Sequence, residues 1–161
     1  LKVDFSDVPA MIGSFALGPF AGVLIQLLKN LLNLIIEGTQ TGAVGELANF
    51  VVGSIFVYTA GAIYHKNKTF KTAIIAMIAG TLSMTVAISV ANYFVMIPLY
   101  AKIFGWPIED IVALGSAVNK YVVDFKTLIL FSVVPFNILK GVMVTLITTL
   151  LYKKVSPILK R

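Results

Sequence analysis

The chain has 161 residues, of which 58% are hydrophobic and only 12% are charged, and its mean hydropathy is +0.95. A soluble domain needs about 25% charged residues, so this composition excludes a water-facing shell and indicates an integral membrane protein. Cysteine is absent and His65 is the single histidine, which excludes disulfides, a thiol nucleophile and a histidine-cluster metal centre. The formal net charge of +6 is typical of lysines in cytoplasmic loops rather than of nucleic-acid binding.

The chain begins with a polar segment. Residues 1–8 have neither the basic start nor the apolar core of a signal peptide, and we expect them to form an external loop. Because Leu1 is not an initiator residue, we also expect further residues before it, amounting to a whole helix.

Uncharged runs mark the membrane-spanning helices, because a hydrocarbon core of about 30 Å needs roughly 20 apolar residues per helix. The pair Gly18-Pro19 divides the first run, since glycine ends helices and proline starts them. The long third run is expected to tilt or to break near Pro98, and the last run is interrupted by Pro135 and Lys140. A single all-α membrane domain over residues 1–161 is predicted, with helices over residues 7–17, 19–36, 47–64, 72–101 and 127–152.

The connections between these helices predict the orientation. The loop at residues 65–71 carries three lysines, and the C-terminal tail is also basic. Two spans separate the two basic segments, so they lie on one side, which the positive-inside rule makes cytoplasmic. The loop at residues 37–45 and the amphiphilic connection at residues 102–126 are then external.

Polar residues inside the spans are the candidates for function. An ionisable group at membrane depth costs about 2.5–3.5 kcal/mol on insertion scales and usually faces a cavity or a partner. The spacing of Gln26, Lys29, Asn30 and Asn33 places them on one helical face. A polar pocket open to the outside is predicted, because five polar residues fall in the external half of the bundle: Lys29, Glu46, Asn49, Asn92 and Asn137.

Several of these groups also have a purely structural interpretation. Lys29 and Glu46 are placed to form a salt bridge between adjacent helices. The hydroxyl stripe at residues 81–89 is typical of helix packing or of bonding to the backbone. Asn137 and Lys140 favour function, because a mid-span lysine without an obvious carboxylate partner needs something to bind.

The sequence contains no Walker A motif, no HExxH motif and no Ser–His–Asp candidate set. The in-span charges form no ring of the kind that lines ion channels. Amides, a lysine and aromatic rings suit a small polar or aromatic solute. The residues alone therefore predict a binding protein or a transporter subunit.

Five segments together resemble the riboflavin-specific S-components of energy-coupling factor (ECF) transporters: LKVDFSDVPAMIG, GPFAGVLIQLLKNLLN, GAVGELANFVVG, NYFVMIPLY and VVPFNILKG. The similarity runs along nearly the whole chain. It implies a six-helix fold whose first helix is absent here, with the DFSD segment as an external loop.

The resemblance implies a non-enzymatic membrane subunit of a prokaryotic cell that captures riboflavin from outside. The implied partners are a transmembrane coupling subunit and two cytoplasmic ABC-type ATPases, with the C-terminus of this chain cytoplasmic. No cofactor and no nucleic acid are expected. Flavin mononucleotide is left open as a second ligand.

The resemblance also implies a set of binding residues. Asn137 and Lys140 match the asparagine and lysine of the family's last helix, and Asn92 matches the asparagine of helix five. The site is extended to four further residues: Asp4, Phe5, Glu46 and Asn49. The alternatives are an S-component for another vitamin, a scaffold subunit without catalysis, or a membrane-embedded enzyme, which the missing nucleophile and metal ligands disfavour.

Overall fold

Ten helical segments follow one another in the part of the chain that the computed structural model describes, which is residues 5–39 and 42–160. Two of them are π-helical turns that continue an α-helix, and we call them the first and second π segments. In chain order the segments are α1 (Asp7–Leu17), α2 (Pro19–Glu37), α3 (Val44–Tyr64), α4 (Phe70–Ala91), the first π segment (Asn92–Met96), α5 (Ile97–Phe104), α6 (Ile108–Val118), α7 (Phe125–Leu128), the second π segment (Ile129–Val133) and α8 (Val134–Leu159).

The break predicted at Gly18-Pro19 is confirmed. Gly18 has a φ of 112°, a backbone conformation that favours glycine, and Pro19 opens α2 with its fixed φ. Helix α1 has only 11 residues, which at 1.5 Å per residue gives about 16 Å, roughly half of a hydrocarbon core. The described residues therefore contain four helices long and apolar enough to cross a membrane, together with this shorter one, where five spans were expected.

Pro98 in one long helix and Pro135 in the other follow a widened turn and do not end the helix. Residues Phe70–Phe104 and Phe125–Leu159 each form one continuous helical stretch of 35 residues. A proline has no N–H, and its ring crowds the carbonyl four residues earlier. The π segments lie directly before Pro98 and Pro135, where a wider turn relieves this crowding.

Glycines bring the long helices into close contact. A Cβ added at Gly80 of α4 would lie 2.8 Å from the main-chain oxygen of Phe56 on α3. A Cβ at Gly141 of α8 would collide with the side chain of Thr81 on α4. Small residues at such crossings are how helices associate within a bilayer, where the hydrophobic effect between helices is absent.

One end of the bundle is basic and is closed by aromatic rings. The ring of Phe15 stacks on that of Tyr64 at 4.3 Å, and Phe70 meets Tyr152 edge to face at 5.3 Å. The hydroxyls of Tyr64 and Tyr152 hydrogen-bond at 2.8 Å. We call this the basic end, because the α3–α4 loop and the end of α8 meet here with their lysines: Lys66, Lys68, Lys71, Lys153, Lys154 and Lys160.

The opposite end holds the connection at residues 102–126, which contains a helix that the sequence analysis did not assign. This helix, α6, has no buried residue. Asp124 then forms a capping box with Thr127 at the start of α7. The last helix also continues to Leu159, seven residues beyond its predicted end, with Pro157 inside it.

Candidate functional site

A buried carboxylate lies where four helices meet. Asp7 is the first residue of α1 and is 0% exposed. Its Oδ1 accepts hydrogen bonds from Nε2 of Gln26 at 2.8 Å and from Nζ of Lys29 at 2.5 Å. Its Oδ2 lies 2.8 Å from Nζ of Lys140 in a second ion pair. The carboxylate thus joins α1, α2 and α8.

Lys140 has the carboxylate partner that the sequence analysis did not find. It is 4% exposed on α8, and besides its ion pair with Asp7 it donates to Oδ1 of Asn49 on α3 at 3.1 Å. The expectation that Lys140 has no carboxylate partner is therefore wrong. Asp7 was assigned to the polar loop at residues 1–8, and the one available signal was its position as a lone acid opening an apolar helix.

The network continues through amides. Nδ2 of Asn49 donates to Oδ1 of Asn30 at 3.1 Å, and Nδ2 of Asn30 donates to the main-chain oxygen of Gln26 at 2.8 Å. Of the polar face predicted on α2, Gln26, Lys29 and Asn30 are buried, whereas Asn33 is half-buried. We call the set Asp7, Gln26, Lys29, Asn30, Asn49 and Lys140 the buried network.

The electrostatics of the buried network explain why its members depend on each other. Taking a charge out of water costs several kcal/mol, which a close counter-charge and additional hydrogen bonds offset. The first turn of α1 also favours the carboxylate of Asp7, because a helix N-terminus carries partial positive charge. Removing Asp7 would leave two buried ammonium groups without their counter-charge, and breaking a buried ion pair typically costs about 3–5 kcal/mol.

Asn92 and Asn137 adjoin the two π segments and share one arrangement. Asn92, which is half-buried, donates from Nδ2 to the oxygen of Ile88 at 2.9 Å, and Asn137, which is 4% exposed, donates to the oxygen of Val133 at 2.9 Å. Each side chain is thus fixed to its own helix by one N–H. Among the described residues, no further hydrogen bond is seen to its carbonyl oxygen or from its second N–H. These two groups can therefore bind another partner.

The predicted site residues are only partly brought together. Asn49 and Lys140 are in direct contact, and Asn137 lies one turn before Lys140 on α8. Glu46 lies one turn before Asn49 on α3 and accepts a hydrogen bond from Thr39 at 3.2 Å.

Two further predicted site residues, Asp4 and Phe5, belong to the N-terminal loop. Phe5 is 51% exposed, and its main-chain oxygen accepts from the N–H of Val8. Asp4 lies outside the described residues. The predicted pairing of Lys29 with Glu46 stays a prediction, while the carboxylate shown beside Lys29 is that of Asp7.

The hydroxyl stripe on α4 is bonded to its own backbone. Thr81, Thr85 and Ser89 each donate to the carbonyl four residues earlier, at 2.7–2.8 Å, so the structural interpretation is confirmed.

At the opposite end, the ring of Tyr93 stacks on that of Phe125 at 4.8 Å. Within residues 5–39 and 42–160, no three histidine, cysteine or acidic residues are grouped to hold a metal ion.

The chain is similar to known transport proteins over its whole length. The family model described as "ECF transporter, substrate-specific component" matches residues 1–152. The riboflavin transporter RibU of Staphylococcus aureus (strain TCH60) is 38% identical over 161 residues, which cover 100% of this chain and 78% of that protein. The riboflavin transporter FmnP of Bacillus subtilis (strain 168) is 34% identical, over 98% of this chain and 77% of that protein.

A solved structure shows the same fold. The structure of the S component of a bacterial ECF transporter matches with a TM-score of 0.72 at 36% sequence identity, and covers 98% of this chain and 79% of that one. The family is one of transporter subunits and not of enzymes. The family model, the identities and the fold agree, and the chain belongs to the family of substrate-specific components of ECF transporters.

Proposed function

We propose that this chain captures riboflavin from outside the cell for ATP-driven uptake by an ECF transporter. The observation that carries the proposal is the cluster of Asn49, Asn137 and Lys140 around the opening turns of α8. The riboflavin transporters RibU and FmnP, to which the chain is similar over its full length, support the same ligand.

The chemistry of the cluster suits a flavin. The isoalloxazine ring presents an imide N–H between two carbonyls, and the ribityl chain carries hydroxyls that both donate and accept. An ammonium group has three donors, of which Lys140 gives one to Asn49, and it also forms an ion pair with Asp7. Lys140 therefore offers a donor, while the amides of Asn92 and Asn137 offer an acceptor and a donor each.

The flat ring also needs an apolar face. Tyr93 and Phe125 stack at an interplanar angle of 16° between the two long helices, beside the π segment that Asn92 opens. Stacked or offset aromatic pairs contribute about 0.5–1.5 kcal/mol beyond their buried area. We place the ring near these side chains, with Asn92, Asn137 and Lys140 as primary contacts and with Asn49, Glu46, Phe5 and Asp4 as the extended site.

The test is a titration of the purified protein with riboflavin, followed by quenching of the flavin fluorescence. We expect saturable quenching in the wild type and a Kd about tenfold or more higher in Lys140→Ala, because a hydrogen bond to a charged group contributes about 1.5–3 kcal/mol. In Asn137→Ala the Kd should rise about two- to tenfold, because a neutral hydrogen bond contributes about 0.5–1.5 kcal/mol. Thr145→Ala is the matched control on the same helix, because Thr145 donates only to the oxygen of Gly141. A folded wild type that leaves riboflavin fluorescence unchanged contradicts the proposal, and flavin mononucleotide in a parallel titration tests the second ligand.

We propose that the basic end is cytoplasmic and that the opposite end faces outside. The lysines at the basic end support this orientation through the positive-inside rule. Because the sequence has no cysteine, the single substitutions Lys68→Cys and Glu109→Cys each introduce a unique label site. In intact cells, a membrane-impermeant maleimide should label Cys at 109 and not at 68, and the reverse pattern contradicts the orientation.

We further propose that a transmembrane coupling subunit and two cytoplasmic ATPases supply the energy for uptake. Membership of the ECF family supports these partners. Vesicles that contain this chain together with those three subunits should accumulate riboflavin only when ATP is present. Equal accumulation by vesicles with this chain alone contradicts the proposal.

A further inference from the structure

We propose that Asp7 is a positioning residue for the ligand, which holds the ammonium of Lys140 where riboflavin meets it. This inference rests on the proposed function. It adds to the binding site a residue that does not itself touch the ligand.

The two oxygens of Asp7 have separate tasks. Oδ1 is occupied by α2, where Gln26 and Lys29 both donate to it. Oδ2 faces α8 and lies 2.8 Å from Nζ of Lys140. Because α2 fixes the carboxylate through one oxygen, the other oxygen is presented to Lys140 in a constant place.

Lys140 is held from two sides. Asp7 contacts its ammonium on one side, and Oδ1 of Asn49 accepts from it at 3.1 Å on another. A free lysine side chain loses up to about 2 kcal/mol of rotamer entropy when it is ordered. An ammonium that is already ordered in the empty protein does not lose that entropy when the ligand binds, so affinity rises through preorganisation.

Asp7 acts through Lys140, since it is 0% exposed. The side chain of Gln26, which fixes Asp7, is itself packed over Gly53, where an added Cβ would come within 2.6 Å of it. The carboxylate is therefore enclosed on the α2 side by protein atoms. Its effect on a ligand is transmitted by the position of the lysine.

A double-mutant cycle tests the inference, with the riboflavin Kd as the readout. Asp7→Asn keeps the shape of the side chain but turns an N–H donor or a neutral oxygen toward Lys140. We expect the Kd to rise about tenfold, because the ammonium of Lys140 would then have to be ordered when the ligand binds. In the Lys140→Met background the same substitution should change the Kd by less than about twofold, since the lysine through which Asp7 acts is gone.

Two results overturn the inference. One is an equal increase in Kd from Asp7→Asn in both backgrounds, which would make Asp7 independent of Lys140. The other is an unchanged Kd in Asp7→Asn with Lys140 present. Thr145→Ala is the matched control, because its hydroxyl donates to the oxygen of Gly141 on the same helix as Lys140 and not to the buried network, so we expect less than about a threefold change in Kd.

Asp7→Asn leaves two buried lysines beside a neutral side chain and can prevent folding. In that case Asp7→Asn combined with Lys29→Met is compared with Lys29→Met alone, because the pair removes one of the two cations. The same Kd criteria apply to that comparison.

A second readout separates this inference from the ligand assignment. Acetylation of Lys140 by acetic anhydride, measured by mass spectrometry, should be several-fold faster in the Asp7-substituted protein than in its parent. If the wild type does not bind riboflavin, the ligand proposal fails, and faster acetylation still supports the positioning of Lys140 by Asp7. Unchanged acetylation overturns the positioning whatever the ligand is.

Discussion

The side-chain amide of Asn119 donates a hydrogen bond to the main-chain oxygen of Phe131 at 3.0 Å. Phe131 lies four residues before Pro135, which has no N–H to donate to that carbonyl. Asn119 therefore replaces the missing helical donor from outside the helix. It also fastens the connection after α6 to the second π segment.

We predict that Asn119→Ala lowers the free energy of unfolding by about 1 kcal/mol, because a carbonyl in a membrane-spanning helix loses its donor. Thermal unfolding of the detergent-purified protein, followed by circular dichroism, measures the change. In the Pro135→Ala background, where residue 135 has an N–H again, the effect of Asn119→Ala should shrink. An equal loss in both backgrounds would contradict this account.

We predict that Gly53→Ala destabilises the protein by about 1–3 kcal/mol, the usual cost of overpacking. The new methyl group would lie 2.6–2.7 Å from three side-chain atoms of Gln26, which is fully buried and donates to Asp7. Gln26→Ala should reduce the cost of Gly53→Ala, since it removes the colliding atoms. Additive effects of the two substitutions on the unfolding free energy would show that Gln26 is not the obstacle.

We predict that Tyr152→Phe destabilises the protein by about 1–2 kcal/mol, because the hydroxyl of Tyr64 is left buried without its partner at 2.8 Å. The double variant Tyr64→Phe with Tyr152→Phe removes both hydroxyls and should be closer to the wild type than Tyr152→Phe alone. Midpoints of thermal unfolding decide between them. If the double variant unfolds at a lower temperature than either single variant, the hydroxyl pair is not the cause of the destabilisation.

We predict that the cap on α7 weakens in acid. The hydrogen bond from the backbone N–H of Thr127 to Asp124 is the main cause that lowers the pKa of the Asp124 carboxyl below its ordinary value. The folded-state pKa is the lower one, so the ionised cap stabilises the fold fully above the usual carboxyl range. This stabilisation is lost as the pH falls through the folded-state pKa.

The pH dependence of the cap is measured by comparing wild type with Asp124→Asn, whose side chain can still accept a hydrogen bond but cannot ionise. As the pH falls from 7 to about 3, the difference in unfolding free energy in favour of the wild type should decline. A constant difference between the two proteins over this range would show that the charge of Asp124 does not contribute.

The sequence alone predicts those helix ends that depend on local chemistry. Gly18-Pro19 divides α1 from α2 at the predicted residues, because a positive φ and a proline at N1 are local requirements. The prolines in the long helices were harder to interpret. Whether Pro98 breaks a helix or widens one turn depends on packing against neighbouring helices, which the local pattern does not contain.

The polar cluster around Lys140 was predicted only in part, for a similar reason. Asn137 and Lys140 were visible as polar residues within an apolar span, whatever they contact. Asp7, the ion-pair partner of Lys140, was not visible in this way, because its burial results from the way α1 packs against α2 and α8. A contact between residues so far apart in sequence has no periodic signal.

The wide turns before Pro98 and Pro135 make the helix register at one end of the bundle independent of the register at the other end. A π turn holds one residue more than an α turn. Insertion or deletion of one residue there therefore rotates only the part of the helix between the π turn and the end of the bundle opposite the basic end. The register at the basic end, where Tyr64 meets Tyr152, is unaffected by such a change. The half of the bundle beyond the two wide turns can therefore change its helix register while the packing at the basic end stays the same.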